Sequence, residues 1–547
     1  MGRYRSYGNL DDQVQSEGDR GFRGIDSYKE KTSLEGGFVE KSENMRLIGD
    51  LAETRKGIDF LAGSVTLTYG TDERVFCATL FSDPASGVEF VVVATKTKAI
   101  IWNDANNSGI AIDYPGSEVV AAGDGASFVQ SMEKLILFRG KDKTPLEWNG
   151  DYSSPTDFVV KANGSPGAGR IQCPNTDFGV FFRNRLIIPQ PTDSNYTVLM
   201  SDLLDTDNYY PAESQFRINK GSADKLVGFY PYQEDQLIVF MRNSIHMINN
   251  IATTSAANTY EITRQHGCVA RKSIAQSGPQ TFFLSDNGVI VLSPGTDPAK
   301  GLGVAISKVS GETIPMTQPI QDQFDDPTEG VNYKYADLAC GVVFDNKYYL
   351  AVPTGSSTKP NKVFVFSLLS NSWISVDSYP AMAGPLPFQV DDWVICSHGS
   401  NPTRRRLFAC NPTGWYLMEE NTIDDSGRKI GSTSESAQTA IAGKLVTRAY
   451  TLGNQNVKRW RRGQLGVNTV ASDAFNIKVN TLDPDKSETV LSHTADSTEE
   501  ALLRFGTGRT RGYGAQVEIN VTSGCPSFRH VSLDAIADGL NIRTEVA

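Results

Sequence analysis

Short apolar runs broken by polar turns recur along most of the chain, with a strand-like spacing rather than a helical one. Residues 201–251 show the unit most clearly. An acidic turn at 201–205 and a polar link lead into runs at 225–230, 236–241 and 244–248, parted by Gln233-Glu234-Asp235 and by Arg242-Asn243. Such runs between tight polar turns predict a meander of antiparallel strands. The unit returns at 65–102, 134–148, 179–200, 281–292, 340–376 and 391–418, with turns such as Arg183-Asn184, Asp286-Asn287-Gly288 and Asp345-Asn346 at matching places. Corresponding strand ends are spaced by roughly 40 to 50 residues, with one interval nearly doubled, a period that predicts a β-propeller. Six blades are counted, with seven as the other count. Each unit has an apolar sheet that cannot be buried alone, so neighbours must stack around an axis.

Outside the repeat the pattern changes four times. Residues 1–60 are polar and glycine-rich with little periodicity and predict an extended N-terminal arm over the main body, with one strand. The propeller takes 61–420 and contains an insertion at 295–335, whose middle, 316–324, predicts one short helix. A loop of that length is usually functional or mobile. Residues 421–439 are polar and rich in Ser and Thr, and read as a linker. Alternating runs from 444 to 535 predict a C-terminal β-sandwich, or platform, spanning 440–547.

Composition agrees with an all-β chain. Over 547 residues, 49 Gly, 20 Tyr and 26 Phe favour turns and strands. A net charge of −11 excludes a protein that wraps duplex DNA, which needs an excess of Lys and Arg. An acidic wall would still let a duplex slide past without sticking. The seven cysteines are scattered and odd in number, and read as reduced core residues of a protein made in a cytoplasm. No secretory leader opens at Met1 and no apolar run is long enough to span a bilayer.

Chemistry is sparse. The phosphate-loop, H-E-x-x-H and G-x-S-x-G patterns are absent, so no catalytic residue, metal or cofactor is expected. His266 with Cys268, and Cys396 with His398, could each form half a zinc site, but plain packing is the better account. Asp202, Asp205 and Asp207 lack the order of a calcium loop and read as turn caps. Two cationic clusters stand out. Lys458, Arg459, Trp460, Arg461 and Arg462 alternate charge with an aromatic and are the candidate interface; Arg404, Arg405 and Arg406 are weaker candidates, read as a solvated hairpin end.

The ordered set 36–60, 179–251, 267–293 (Gly267-Cys268-Val269-Ala270-Arg271-Lys272-Ser273, then Phe283-Leu284-Ser285-Asp286-Asn287-Gly288) and 445–533 resembles the tail nozzle, or tail tubular, proteins of short-tailed podovirus-type bacteriophages. That resemblance implies a structural virion component assembled in the host cytoplasm: a homohexameric ring below the portal and tail adaptor. Genome DNA would leave through its lumen without specific binding, while spikes, fibres or a plug could attach. The alternative is a β-propeller receptor-recognition protein that binds carbohydrate or cleaves glycosides, because 347–373 has a kelch-like cadence without the double glycine.

Overall fold

The structure, a computed structural model, describes residues 14–60, 75–103, 108–116, 118–120, 125–152, 157–161, 167–190, 196–221, 223–294, 302–304, 314–379, 388–399, 404–412, 414–419, 423–425, 439–454, 456–508 and 510–537. It is nearly all-β with a six-blade propeller arrangement, as the repeat predicts. Six antiparallel sheets of four strands each stand separately. Their innermost strands are Cys77–Ser82, Ser127–Ser131, Val180–Phe182, Leu226–Tyr232, Ala275–Ser277 and Asp392–His398. A further four-stranded meander, Cys340–Phe344 to Ser372–Ser378, lies in sequence between the fifth of these and the last, and does not end at four strands. It runs on into a ten-stranded sheet, which explains the two blade counts.

The turns follow local chemistry. Arg183 and Asn184 both take left-handed backbone angles, φ 53° and 59°, and so do Asp345 and Asn346, 46° and 55°. Paired positive φ values are what a two-residue hairpin needs to match strand twist. Gly288, at φ 102°, is required twice over, since a Cβ there would meet Thr317 Oγ1 at 2.0 Å.

Blade strands read as unbroken apolar runs because both their faces are covered. Leu237, Ile238, Val239, Phe240 and Met241 are all fully buried, divided between the clusters on either side of their sheet. Ring closure comes from the far end of the chain: Asp59–Phe60 pairs with Leu417 and Tyr416 as the outer strand of the last blade. Polar contacts add to the apolar packing between the last blade and the first. Ala78 N donates to Asp392 (2.9 Å) and Ser397 N to Glu89 (3.0 Å).

The N-terminal segment is extended, but it threads the platform instead of lying on the surface. Phe38–Glu43 sits between Ser372–Ser378 of the meander and Gly443–Thr447, carrying the sheet onward through Gly514–Ser523 and Ala474–Leu482 to Lys486–Thr494. Val14–Asp19, Met45–Ile48 and Leu51–Thr54 join Lys458–Thr469, Glu499–Gly506, Arg511–Gly512 and Ser527–Ala537 in a seven-stranded sheet. The two sheets form a sandwich around Trp460, Leu465, Val467, Phe475, Ile477, Val517, Phe528 and Val531. Here burial alternates from Ala474 to Thr481, the pattern of a strand with one face toward water.

The insertion is partly docked. Leu302–Val304 completes the fifth blade, and Gln318–Ile320 runs into one helical turn, Gln321–Phe324, where the short helix was expected. Phe324 packs on Phe364 and Trp373, at ring separations of 4.7 and 6.5 Å. At the expected linker, Asp424–Asp425 pairs with Thr439–Ala440; residues 426–438 lie outside the described set.

Candidate functional site

The cationic segment is only partly at the surface. Trp460 is wholly buried in the sandwich, and Lys458 is as buried beside it. The Lys458 ammonium donates to the carbonyls of Asn454, Asn456 and Tyr513, each at 2.7 Å, and burial lowers its pKa. Only Arg459, Arg461 and Arg462 reach the surface. A register shift between Trp460 and Arg462 turns the alternation out of phase, leaving two successive arginines outside, and Arg462 Nε pairs with Asp534 at 2.6 Å. Trp460 as a hot spot for a partner's pocket is therefore corrected: the bulge hides it from any partner.

Arg404, Arg405 and Arg406 open the strand Arg404–Asn411 opposite His398, Ser397 and Cys396. Arg405 crosses the ring seam to Glu89 at 2.6 Å, so it ties the last blade to the first. Among the described residues no cluster of three or more His, Cys, Asp or Glu side chains could hold a metal. Asp205 caps its own turn, accepting from Asp207 N and Asn208 Nδ2, both at 2.8 Å. Asp202 takes Arg170 at 2.6 Å.

Two polar centres went unread in the sequence. At one end of the propeller axis, Arg271 and Lys272 fan out over the starts of four other blades' inner strands. Arg271 donates to the carbonyls of Asp177 (3.1 Å) and Ala126 (2.8 Å). Lys272 donates to those of Phe76 (2.8 Å) and Asp391 (3.0 Å) and pairs with Asp392 (3.0 Å). Two adjacent side chains thus tie four blades together at that end. Burial raises the Asp391 pKa, with Lys359 and Lys272 opposing it.

At the junction of propeller and platform, Arg46 forks onto Asp377 (3.0 and 2.7 Å) and reaches Glu419, while Arg55 forks onto Asp425 (2.7 and 2.5 Å) with Tyr379 stacked 4.3 Å away. These bidentate pairs are fully buried and join three parts of the chain that are distant in sequence.

Among the described residues an open cleft of about 380 Å³ lies in the platform, lined by Lys31, Leu482, Asp483, Pro484, Asp485 and Tyr513. The exposed turn 483–485 joins two long strands of the ten-stranded sheet. Tyr513 is fixed from both sides: its N–H donates to Leu482 O at 3.0 Å, and its carbonyl takes the Lys458 ammonium. Gly512 lets the chains close, since a Cβ there would lie 2.7 Å from Leu482 O. Thus Lys458 acts behind the site, not at a partner's surface. The cleft offers one phenol ring, two carboxylates in water and one ammonium. Sequence reading missed it because Lys31 is far from the other residues; the available signals were the Asp-Pro-Asp turn between strands and a tyrosine between two glycines.

No family model matches the chain, and no curated protein matches it. Solved structures do. The extracellular domain of a putative one-component system from B. thetaiotaomicron is similar at 11% identity and a TM-score of 0.40, covering 87% of this chain and 60% of that one. PorZ, described as a bacterial surface component of the type-IX secretion system of Porphyromonas gingivalis, is similar at 10% identity and 0.34, with 87% and 60% covered. Apo AztD from Citrobacter koseri is similar at 14% identity and 0.29, with 64% and 95% covered. This chain thus spans about 60% of the first of these structures. The tail-nozzle function expected from the resemblance is corrected here: two of these three are described as bacterial extracellular or surface proteins, and none of the three is described as a phage tail component.

Proposed function

We propose that the chain is a non-catalytic recognition protein that takes a saccharide-class ligand in the platform cleft. The observation that carries this reading is the grouping of Tyr513 with Asp483, Asp485 and Lys31 around about 380 Å³ of open space. A sugar ring has an apolar C–H face, which suits an aromatic side chain, and a rim of hydroxyls, which suits carboxylate acceptors and an ammonium donor. A volume of this size suits a small ligand or one or two sugar units. Both Asp483 and Asp485 are exposed, placed where their oxygens can accept from the hydroxyls of a bound sugar.

The test is a panel of bacterial surface polysaccharides and oligosaccharides presented to the full chain. Retention of at least one glycan class without release of reducing ends supports the reading. Retention of none rejects it, and turnover of the bound glycan replaces binding with glycoside cleavage.

A further inference from the structure

The strand Glu499–Gly506 forms one edge of the seven-stranded platform sheet. It pairs with Lys458–Thr469 through eight consecutive residues without a bulge, and no strand of the described chain pairs with its other side. Folded proteins blunt such an edge with a proline, a bulge, an inward charge or a row of like charges; this one has no proline, bulge or inward charge, and its exposed charges, Glu499, Glu500 and Arg504, are of both signs. Its two faces are sharply different. Ala501, Leu503 and Phe505 point into the sandwich core, while Glu500, Leu502 and Arg504 point to water, with Leu502 49% exposed.

The outward set, Glu-x-Leu-x-Arg, is its own antiparallel complement. Rotating the strand about a two-fold axis through Leu502 brings residue 500 opposite 504, and 504 opposite 500. Glu500 then faces Arg504 of the second copy, twice, with the two Leu502 side chains between them. We propose that this edge is where a second copy of the chain docks, by antiparallel strand addition centred on Leu502, extending the sheet across both copies. Opposite charges directly across an antiparallel pair attract, and an isologous contact needs a self-complementary patch of this kind. Glu500 already accepts from Arg529 of its own chain. A carboxylate has two oxygens and can take a second guanidinium. The opposite edge of the sandwich, Lys486–Thr494, is also terminal in its sheet, but turned about Val490 it sets Lys486 against Thr494 and Glu488 against Ser492, with no charge match.

Sedimentation equilibrium of the full chain tests this surface, which is separate from the cleft. The wild type is expected to be a dimer at high micromolar concentration. Glu500→Arg and Arg504→Glu each set like charges opposite one another and should weaken the dimer roughly tenfold. The double variant restores the match and should recover it, and Leu502→Lys should give monomer. Circular dichroism confirms that each variant is folded, and Tyr513→Ala should leave the dimer unchanged. A monomeric wild type, a higher ring, a dimer unmoved by the single reversals, or a double variant that fails to recover overturns the proposal.

Discussion

Trp460 shows how far local chemistry misleads when a single bulge intervenes. Flanked by arginines, it carries the composition of a binding surface, yet the register shift beside it sends the indole inward. Trp460→Ala should therefore cost about 3–5 kcal/mol in urea unfolding, the usual cost of deleting a buried aromatic. Arg461→Ala, on the exposed bulge, should fall within about 0.5 kcal/mol of wild type. Equal small effects at the two positions would return Trp460 to the surface. Arg46 and Arg55 went unread for a related reason: they lie in a polar, glycine-rich segment, and the carboxylates that enclose them come from the other end of the chain. By contrast Arg183-Asn184 and Asp345-Asn346 were legible, because a two-residue turn is decided by its own backbone angles.

At the scale of elements, blades are held at their rims by polar pairs as well as by apolar faces. Between the second and third blades, the buried Lys161 ammonium binds Glu147 at 3.0 Å, together with Asp207 and Thr206. Burial by itself would raise the Glu147 pKa. The hydrogen bond from Lys134 and the charge and hydrogen bond of Lys161 outweigh it, holding the carboxyl below its ordinary value of 4.5. The unfolded chain then takes up this proton first as the pH falls. The stability from Glu147 is present above pH 4.5 and is lost as the pH drops through the lowered folded value. Glu147→Gln should thus destabilise the protein at pH 7 and flatten the fall in its stability as the pH drops below 4.5. Parallel curves for variant and wild type would show that the pair contributes nothing. Strand pairing at this scale was legible within a blade and illegible across the chain. Nothing local in Asp59–Phe60 marks it as the closing strand of a blade some 350 residues later, and the same distance hid the sheet that runs from the meander into the platform.

For the whole molecule, the sequence shows a propeller, a linker and a sandwich as separate blocks, because composition changes between them. The structure shares one ten-stranded sheet between propeller and platform and buries Arg46 and Arg55 at their junction. Far-ultraviolet circular dichroism and tryptophan fluorescence should therefore report one coincident unfolding transition, and two resolved transitions would show that the blocks are independent. The proposed function rests on the platform cleft. Its most direct measurement is calorimetric titration of the retained glycan into wild type, Tyr513→Phe and Tyr513→Ala. Stacking on the ring predicts that Tyr513→Phe stays within a few-fold of wild type while Tyr513→Ala loses at least about tenfold, the scale of one aromatic contact. An alanine variant that binds as tightly as wild type would contradict the account.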